Sequence, residues 1–378
     1  EKHHSFYALK HKEEKKINTT MKRINKISKN SSSLEKLSPK FRKLFQKLME
    51  DLSKKDLQDS NIKFNLKSNV IAEIDTISDL DLPRYLVHRY RYEIFPQTQT
   101  IDDYPPYLQI EPTSVCNYRC VFCFETDKTF TNKKNGFMGQ MSLDLFKQVV
   151  DQAEGNIEFI SLASRGEPLV CKDIIKMLEY TNGKFLNLKL NTNASLLDDE
   201  KSHAILSGGI KTVVFSADAA SEPLYSRLRV NGNLNKVLKN IENFKKIHTT
   251  NYPKNPIISR VSGVKFDDAQ DLNSMEKLWG DLVDQVAFVK YNPWENSYTK
   301  KPNKIESPCS DLWRRMFVWW DGKTNPCDVD YKSKLSVGNF SQNSINQLWN
   351  SEKYKELRKM HLEKKRKKII PCASCEVI

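Results

Sequence analysis

The chain has no run of 18 apolar residues, which excludes a helix of the kind that spans a bilayer. Its Lys/Glu-rich beginning also lacks the short apolar stretch of a secretion signal, so a cytoplasmic protein is expected. A reducing compartment disfavours disulfides. The eight cysteines among 378 residues are therefore candidates for metal binding or catalysis. They are not spread evenly. Cys116, Cys120 and Cys123 fall within eight residues, and Cys309, Cys327, Cys372 and Cys375 lie in the last 70. Cys171 stands alone and reads as a small buried apolar side chain.

What is present fits a folded protein of one large or two modest domains. Hydrophobic residues make up 39% and aromatics 10%, enough for a packed core. The mean hydropathy of −0.62 then reflects lysine-rich surface and tails. The net charge is +14. Residues 1–60 hold 16 Lys/Arg against 8 Asp/Glu, and EKKRKK at 363–368 forms a second basic run. Such tails bind nucleic acid or anionic surfaces in some proteins and are simply solvated in more.

Residues 1–32, charged and ending in SKNSSS, read as a basic disordered tail. From Leu34 the apolar residues recur at helical spacing, predicting a helix over 39–50 within a helical extension spanning 33–104. A second helix at 82–92, followed by a Pro-bounded arm, is expected there. Strand-like runs then occupy 107–113, 157–163, 185–192, 212–218, 257–264 and 285–291. Helical patterns fall between them at 142–154, 171–180, 198–207, 234–248 and 273–284. Six strands alternating with five helices predict parallel βα units over 105–295, with strands apolar on both faces. Ligands gather at the carboxyl ends of such strands, whether the sheet is open or a barrel.

CNYRCVFC (116–123) follows the first strand directly. Its 3-then-2 spacing does not match the paired knuckles of structural zinc. Three thiolates on one loop suit three irons of a four-iron cluster, leaving the fourth open. This loop resembles that of radical S-adenosylmethionine (SAM) enzymes, with an aromatic residue before the third cysteine. Further matches follow in order: SRGEPL (164–169) resembles the family's Gly-Glu-Pro motif, LNTNA (190–194) its third strand end, and FSADAASEPLYSRLR (215–229) its Ser-x-Asp strand end. Alone, Glu167-Pro168 is an ordinary loop and Arg229 an ordinary surface charge. Their placement at successive strand ends is what singles them out.

The resemblance implies an α/β fold, a partial (β/α)6 barrel, in which Cys116, Cys120 and Cys123 hold a 4Fe-4S cluster whose open iron binds SAM. It implies cofactor contacts from Phe122, Gly166, Glu167, Asn193, Ser216 and Arg229.

The segment 305–378 reads as a small β-hairpin with its turn at Asp321-Gly322, then a helix capped by Ser344. Bare spacing leaves a four-cysteine zinc site open. The pattern also resembles the small form of the SPASM/twitch domain. That resemblance implies one auxiliary 4Fe-4S cluster on Cys309, Cys327, Cys372 and Cys375, with no open iron and a role in electron transfer.

The expected activity is that of a radical SAM oxidoreductase. A 5′-deoxyadenosyl radical takes hydrogen from a substrate C–H, and the auxiliary cluster accepts an electron, as in oxidation of an alcohol to a ketone. A sugar, aminocyclitol or nucleotide-linked sugar is the expected small-molecule substrate, and a reducing flavodoxin or ferredoxin the electron donor. Arg260, Glu111 and Asp218 are the strand-end candidates for catalysis. Peptide modification or epimerisation is the alternative; epimerisation needs a hydrogen donor, for which Cys171 is the spare thiol. A non-catalytic, metal-bound nucleic-acid-binding protein is the alternative from another class. It leaves the three-cysteine loop and Gly-Glu-Pro unexplained, so neither nucleic acid nor membrane is expected as a partner.

Overall fold

The computed structural model describes residues 13–53 and 62–378. Its strands are β1 (Tyr107–Ile110), β2 (Arg119–Cys120), β3 (Phe159–Leu162), β4 (Asn187–Thr192), β5 (Ile210–Ser216), β6 (Arg229–Val230), β7 (Ile258–Lys265), β8 (Gln285–Lys290), β9 (Arg315–Val318), β10 (Lys323–Asn325) and β11 (Gly338–Asn339). Nine of them form one sheet in the order β11-β10-β9-β1-β3-β4-β5-β7-β8. The run from β1 to β8 is parallel throughout and contains the six expected strands. The crossover helices lie at Leu143–Ala153, Ile174–Thr181, Asp199–Ser207, Leu234–Asn251 and Leu272–Gly280. Four of them begin on a side chain that accepts a backbone N–H of the first turn: Ser142, Asp198, Asn233 and Asp271. This is the partial (β/α)6 barrel.

The strands are not apolar on both faces, as the sequence had suggested. They alternate. Leu108, Ile160, Leu188, Leu190, Val213, Phe215 and Val261 pack under the helices against Phe146, Met177, Ile205, Val237 and Trp279. The opposite face carries Gln109, Ser161, Lys189, Ser216, Arg260 and Ser262, all lining an internal cavity. A barrel that holds a ligand needs a polar lumen, so period-2 alternation replaces the doubly apolar pattern of a fully packed parallel sheet.

The C-terminal hairpin is present, with Gly322 at φ +79° in its turn; only glycine adopts that conformation without strain. It is not a separate lobe. β9 pairs in parallel with β1, from Tyr107 opposite Arg315 to Ile110 opposite Val318, so the hairpin continues the barrel sheet. The expected single helix after Ser344 is two, Ile345–Trp349 and Glu352–Leu362. Ser351 ends the first by capping the second, accepting from Tyr354 N.

The N-terminal extension is helical, as expected, but begins earlier. The tail expected to be disordered over 1–32 is corrected for its described part: Glu13–Ile27 is a helix, and residues 1–12 lie outside the described residues. Ile24 and Ile27 are buried in a second core with Phe45, Leu48, Val70, Tyr85 and Leu86. Arg23 donates to the carbonyls of Ile74 and Ile77 at 2.9 and 2.6 Å. High charge hid this amphipathic face. The helix Leu82–Thr98 runs through Pro96 rather than ending near 92; in the last turn the missing N–H costs one bond only. This layer meets the sheet at Phe159 and Leu186, with the Tyr85 ring 5.6 Å from that of Phe159.

Ile24 is fully buried, so Ile24→Ala is expected to lower unfolding free energy by about 2–5 kcal/mol. Urea denaturation checks this; a midpoint unchanged from the parent would mean the first helix does not pack as described.

Candidate active site

A cavity of about 1130 Å³ opens at the carboxyl ends of the strands and continues to the C-terminal segment. Its wall includes all seven grouped cysteines: Cys116, Cys120 and Cys123 of the first set, and Cys309, Cys327, Cys372 and Cys375 of the second. None is in a disulfide. Burial pushes every one of these thiols up, Cys309 to about 12, and neighbouring thiols add to the effect at Cys123, Cys327 and Cys372. Buried thiols that raise one another's pKa suit a metal that displaces their protons. Among the described residues no three His, Cys, Asp or Glu side chains close on a single ion. The thiols instead ring a shared space.

Three strand ends hold the first loop. β2 pairs with β6, setting Cys120 opposite Arg229, and Val121 N donates to Leu228 O at 3.0 Å. Asn117 donates to Ser195 Oγ at 2.8 Å and accepts from Asn193 Nδ2 at 2.9 Å. Gly166 packs against the loop's root, and Glu167 N donates to Val115 O at 3.0 Å. A methyl group at Gly166 would sit 2.6 Å from Val115 O, so the close approach requires glycine.

The second set is held from inside. Arg366, which reads in the sequence as part of a solvated basic run, is only 1% exposed. It donates to the carbonyls of Cys372 (3.1 Å), Ser307 (3.2 Å), Cys375 (2.7 Å) and Val377 (2.7 Å). Asp330 braces the loop after Cys327 by accepting from Lys334 N, Leu335 N and Tyr298 Oη. An aromatic stack ties the two sets together: Phe124, just past Cys123, stacks on Tyr331 at 4.9 Å and on Trp294 at 5.9 Å.

The expected cofactor residues Phe122, Gly166, Glu167, Asn193, Ser216 and Arg229 all line the cavity, as does Arg260. Arg229 pairs with Asp218 at 2.5 Å and points an N–H at Cys120 Sγ, 3.8 Å away. Glu167 accepts from Leu169 N, Thr192 Oγ1 and Asn193 N at 3.1, 2.6 and 2.6 Å. It is therefore a brace between the β3 and β4 ends as well as a wall residue. Burial raises its pKa against those bonds.

Two expected catalytic residues are corrected. Glu111 and Asp218 do not line the cavity. Glu111 is fully buried and takes both arms of Arg165, at 2.7 and 2.6 Å, plus Trp320 N at 3.2 Å. Asp218 is spent on Arg229 and Val264 N. Cys171, the spare thiol, packs in the outer core away from the cavity.

The residue missed in the sequence is Lys189, which faces the lumen from β4 beside Arg260. Burial, then Arg260, bring its ammonium down to about 8 against the pull of Glu73; Arg89 and Arg315 add to the lowering. The signal was the alternation in NLKLN, with polar residues at every second position.

The wall also holds buried polar atoms with no hydrogen-bond partner among the described residues: Ser164 Oγ, Asn191 Oδ1 and both oxygens of Glu125, which pairs with Arg119 at 3.3 Å. Ser164 is held at φ +144°, a strained conformation for a residue with a side chain. Such orphaned groups beside three thiols fit a polar cofactor with amino, carboxylate and hydroxyl groups.

Taken together, this is the fold and wall of an iron–sulfur enzyme with a barrel lumen. Residues 110–273 match the radical SAM superfamily, and residues 309–376 match the SPASM iron–sulfur cluster-binding domain. The chain belongs to the radical SAM superfamily and carries a SPASM domain; its cofactors are 4Fe-4S clusters and SAM. A GTP 3′,8-cyclase of Clostridium botulinum (strain Okra) is 29% identical over 216 residues, 54% of this chain and 64% of its own length. The chain thus spans less than two thirds of that relative. SuiB of Streptococcus suis, bound to precursor peptide SuiA, superimposes with a TM-score of 0.53 at 16% identity, covering 84% of this chain and 78% of SuiB. Native anSMEcpe with bound AdoMet gives 0.52 at 18% identity, covering 71% and 88%. At these identities the superpositions establish the fold. No helix among the described residues is long and apolar enough to cross a membrane.

Two outcomes are expected. Anaerobically reconstituted protein holds about eight irons, from two clusters of four, and replacing Cys116, Cys120 and Cys123 by Ala leaves about half, with no SAM cleavage; iron and acid-labile sulfide assays read this. Glu111→Ala strands Arg165 and lowers stability by about 3–5 kcal/mol. A Glu111→Ala variant with parental stability and lost turnover would restore a catalytic role to this residue.

Proposed function

We propose that the protein is a radical SAM oxidoreductase that oxidises an alcohol carbon of a small, sugar-like substrate to a ketone. The observation that carries this reading is the single cavity walled by both cysteine sets. A substrate held in the lumen is then adjacent to both. Cys116, Cys120 and Cys123 would hold the SAM-binding cluster, and Cys309, Cys327, Cys372 and Cys375 the auxiliary one. When bound, the first with SAM supplies a carbon radical that abstracts hydrogen, and the second supplies an electron acceptor.

The chain's own residues do the rest. Loss of one hydrogen atom, one electron and one proton turns CHOH into C=O. Lys189 Nζ is the group suited to take the hydroxyl proton, because at about 8 its ammonium is poised near neutrality. Arg260, the candidate from the sequence, stays charged and serves as donor and field instead; its Nε is held by Gln285 Oε1 at 2.8 Å. The N-terminal layer closes the floor with Glu73, Arg89 and Tyr92 at the cavity wall. Glu73 accepts from Tyr85 Oη at 2.7 Å and Asn187 Nδ2 at 3.0 Å.

The alternatives draw less support. The helical extension is a wall of the cavity, which argues against a free peptide-recognition wing. Cys171 outside the lumen weakens epimerisation. Arg229, Arg260 and Arg366 are interior, which weakens nucleic-acid binding. A flavodoxin or ferredoxin donor and a cytoplasmic setting belong to the same reading.

The test uses candidate sugars and aminocyclitols, with deuterium at the oxidised carbon followed into deoxyadenosine. Replacing Cys372 and Cys375 by Ala is expected to spare SAM cleavage without substrate and to abolish ketone formation. Ketone formation by the parent is expected to rise with pH through about 8, since only the neutral amine of Lys189 accepts a proton, and Lys189→Met is expected to lose that rise. Full product formation without the second cluster would overturn the oxidation in favour of a redox-neutral outcome.

A further inference from the structure

His361 lies on the helix Glu352–Leu362 and is fully buried. Its Nδ1 faces the backbone N–H of Cys309 at 3.2 Å. A backbone amide only donates, so Nδ1 must be the bare, accepting nitrogen. The ring is then neutral and carries its proton on Nε2. That Nε2 is shut from solvent and has no hydrogen-bond partner among the described residues. The ring borders the cavity whose wall also includes Cys309, Cys372 and Cys375, and Arg366 is a charged neighbour of the ring. A buried donor left unmade costs about 1–3 kcal/mol, and the described residues offer no acceptor for it.

We infer that His361 donates its Nε2–H to the sulfur of the auxiliary cluster and thereby raises that cluster's reduction potential. One backbone bond at a cysteine ligand sets the tautomer, and the other side of the same ring delivers the proton to the cluster. Hydrogen bonds to cluster sulfur stabilise the reduced, more negative state. His361 is thus a positioning residue that makes this cluster the better electron acceptor. The inference rests on the four cysteines holding a cluster and is independent of which substrate is oxidised.

The experiment is a redox titration of the full holoenzyme followed by electron paramagnetic resonance. The SAM-binding cluster, recognised by its response to added SAM, is the internal control. His361→Asn keeps an acceptor for Cys309 N–H and deletes the Nε2 donor. The expected result is full iron content, an unchanged SAM-cluster midpoint, and an auxiliary midpoint lowered by at least a tenfold change in its reduction equilibrium, about 59 mV for one electron. His361→Gln, whose amide reaches further and donates, is expected to recover part of the shift. An auxiliary midpoint unchanged in His361→Asn overturns the inference. Should that variant lose the second four irons, unaltered holoenzyme carrying 15N-histidine decides. A histidine nitrogen coupling on the reduced auxiliary cluster supports the hydrogen bond, and its absence overturns it. A parent with only four irons would instead refute the second cluster itself.

Discussion

The buried pair between Glu111 and Arg165 holds this molecule in register. It joins the end of β1 to the loop that carries Gly166 and Glu167. The same guanidinium also donates to Tyr331 O at 2.8 Å and lies 4.3 Å over the Trp319 ring. Glu111 in turn accepts from Trp320 N, while its own N–H donates to Val318 O at 2.9 Å. Barrel, cofactor loop and C-terminal hairpin therefore share one desolvated ion pair. Such a pair is weak evidence for net stability, because desolvation offsets much of the attraction. Its geometric effect is large: a planar, bidentate contact leaves little freedom in how the two cysteine sets face each other. In the proposed oxidation, electron transfer and substrate enclosure would both depend on that relation being fixed.

A second constraint acts from below. A barrel with a polar lumen cannot bury its own floor, and the N-terminal helices supply one. They bring an apolar layer against Phe159 and Leu186, and a polar tip of Glu73, Tyr85 and Arg89 that meets Asn187 and the lumen cations. The extension is thus part of the cavity wall. Its polar tip also sets the field around Lys189, since Glu73 opposes the lowering that burial and the arginines impose.

Much of this was legible in the sequence. The six strands, five crossover helices and the order of motifs against strand ends follow from periodicity and from CNYRCVFC, SRGEPL and FSADAASEPLYSRLR. What escaped did so for identifiable reasons. Lys189 sits in a strand expected to be apolar on both faces, which leaves the alternation of NLKLN unused. Arg366 lies among five other charged residues, and nothing local distinguishes the one that turns inward. Ile24 and Ile27 are too sparse among lysines to declare a helix until Phe45, Leu48 and Tyr85 are placed against them. Glu111 occupies a strand end, where carboxylates often serve catalysis; only the position of Arg165 shows it already taken. His361 has no sequence signal at all, because its significance rests on a contact with Cys309, 52 residues away.

The interior cations change how the charge of +14 reads. Thiolate-bound clusters are anions, and burying an anion is costly unless counter-charge or donors are already in place. Arg229 stands beside Cys120 at 3.8 Å, and Arg366 spans the carbonyls that flank Cys372 and Cys375. Burial raises the thiol pKa values and so favours the neutral thiols; Arg366 then meets backbone carbonyls, while Arg229 is already paired with Asp218. On the proposed assignment, cluster assembly would expel the thiol protons and place negative charge beside both arginines. Part of the basic excess is therefore internal counter-charge, fixed before the clusters arrive. On the proposed assignment it would favour the metal-bound state of each set separately, so the two sites would be separable in assembly even though both line one cavity.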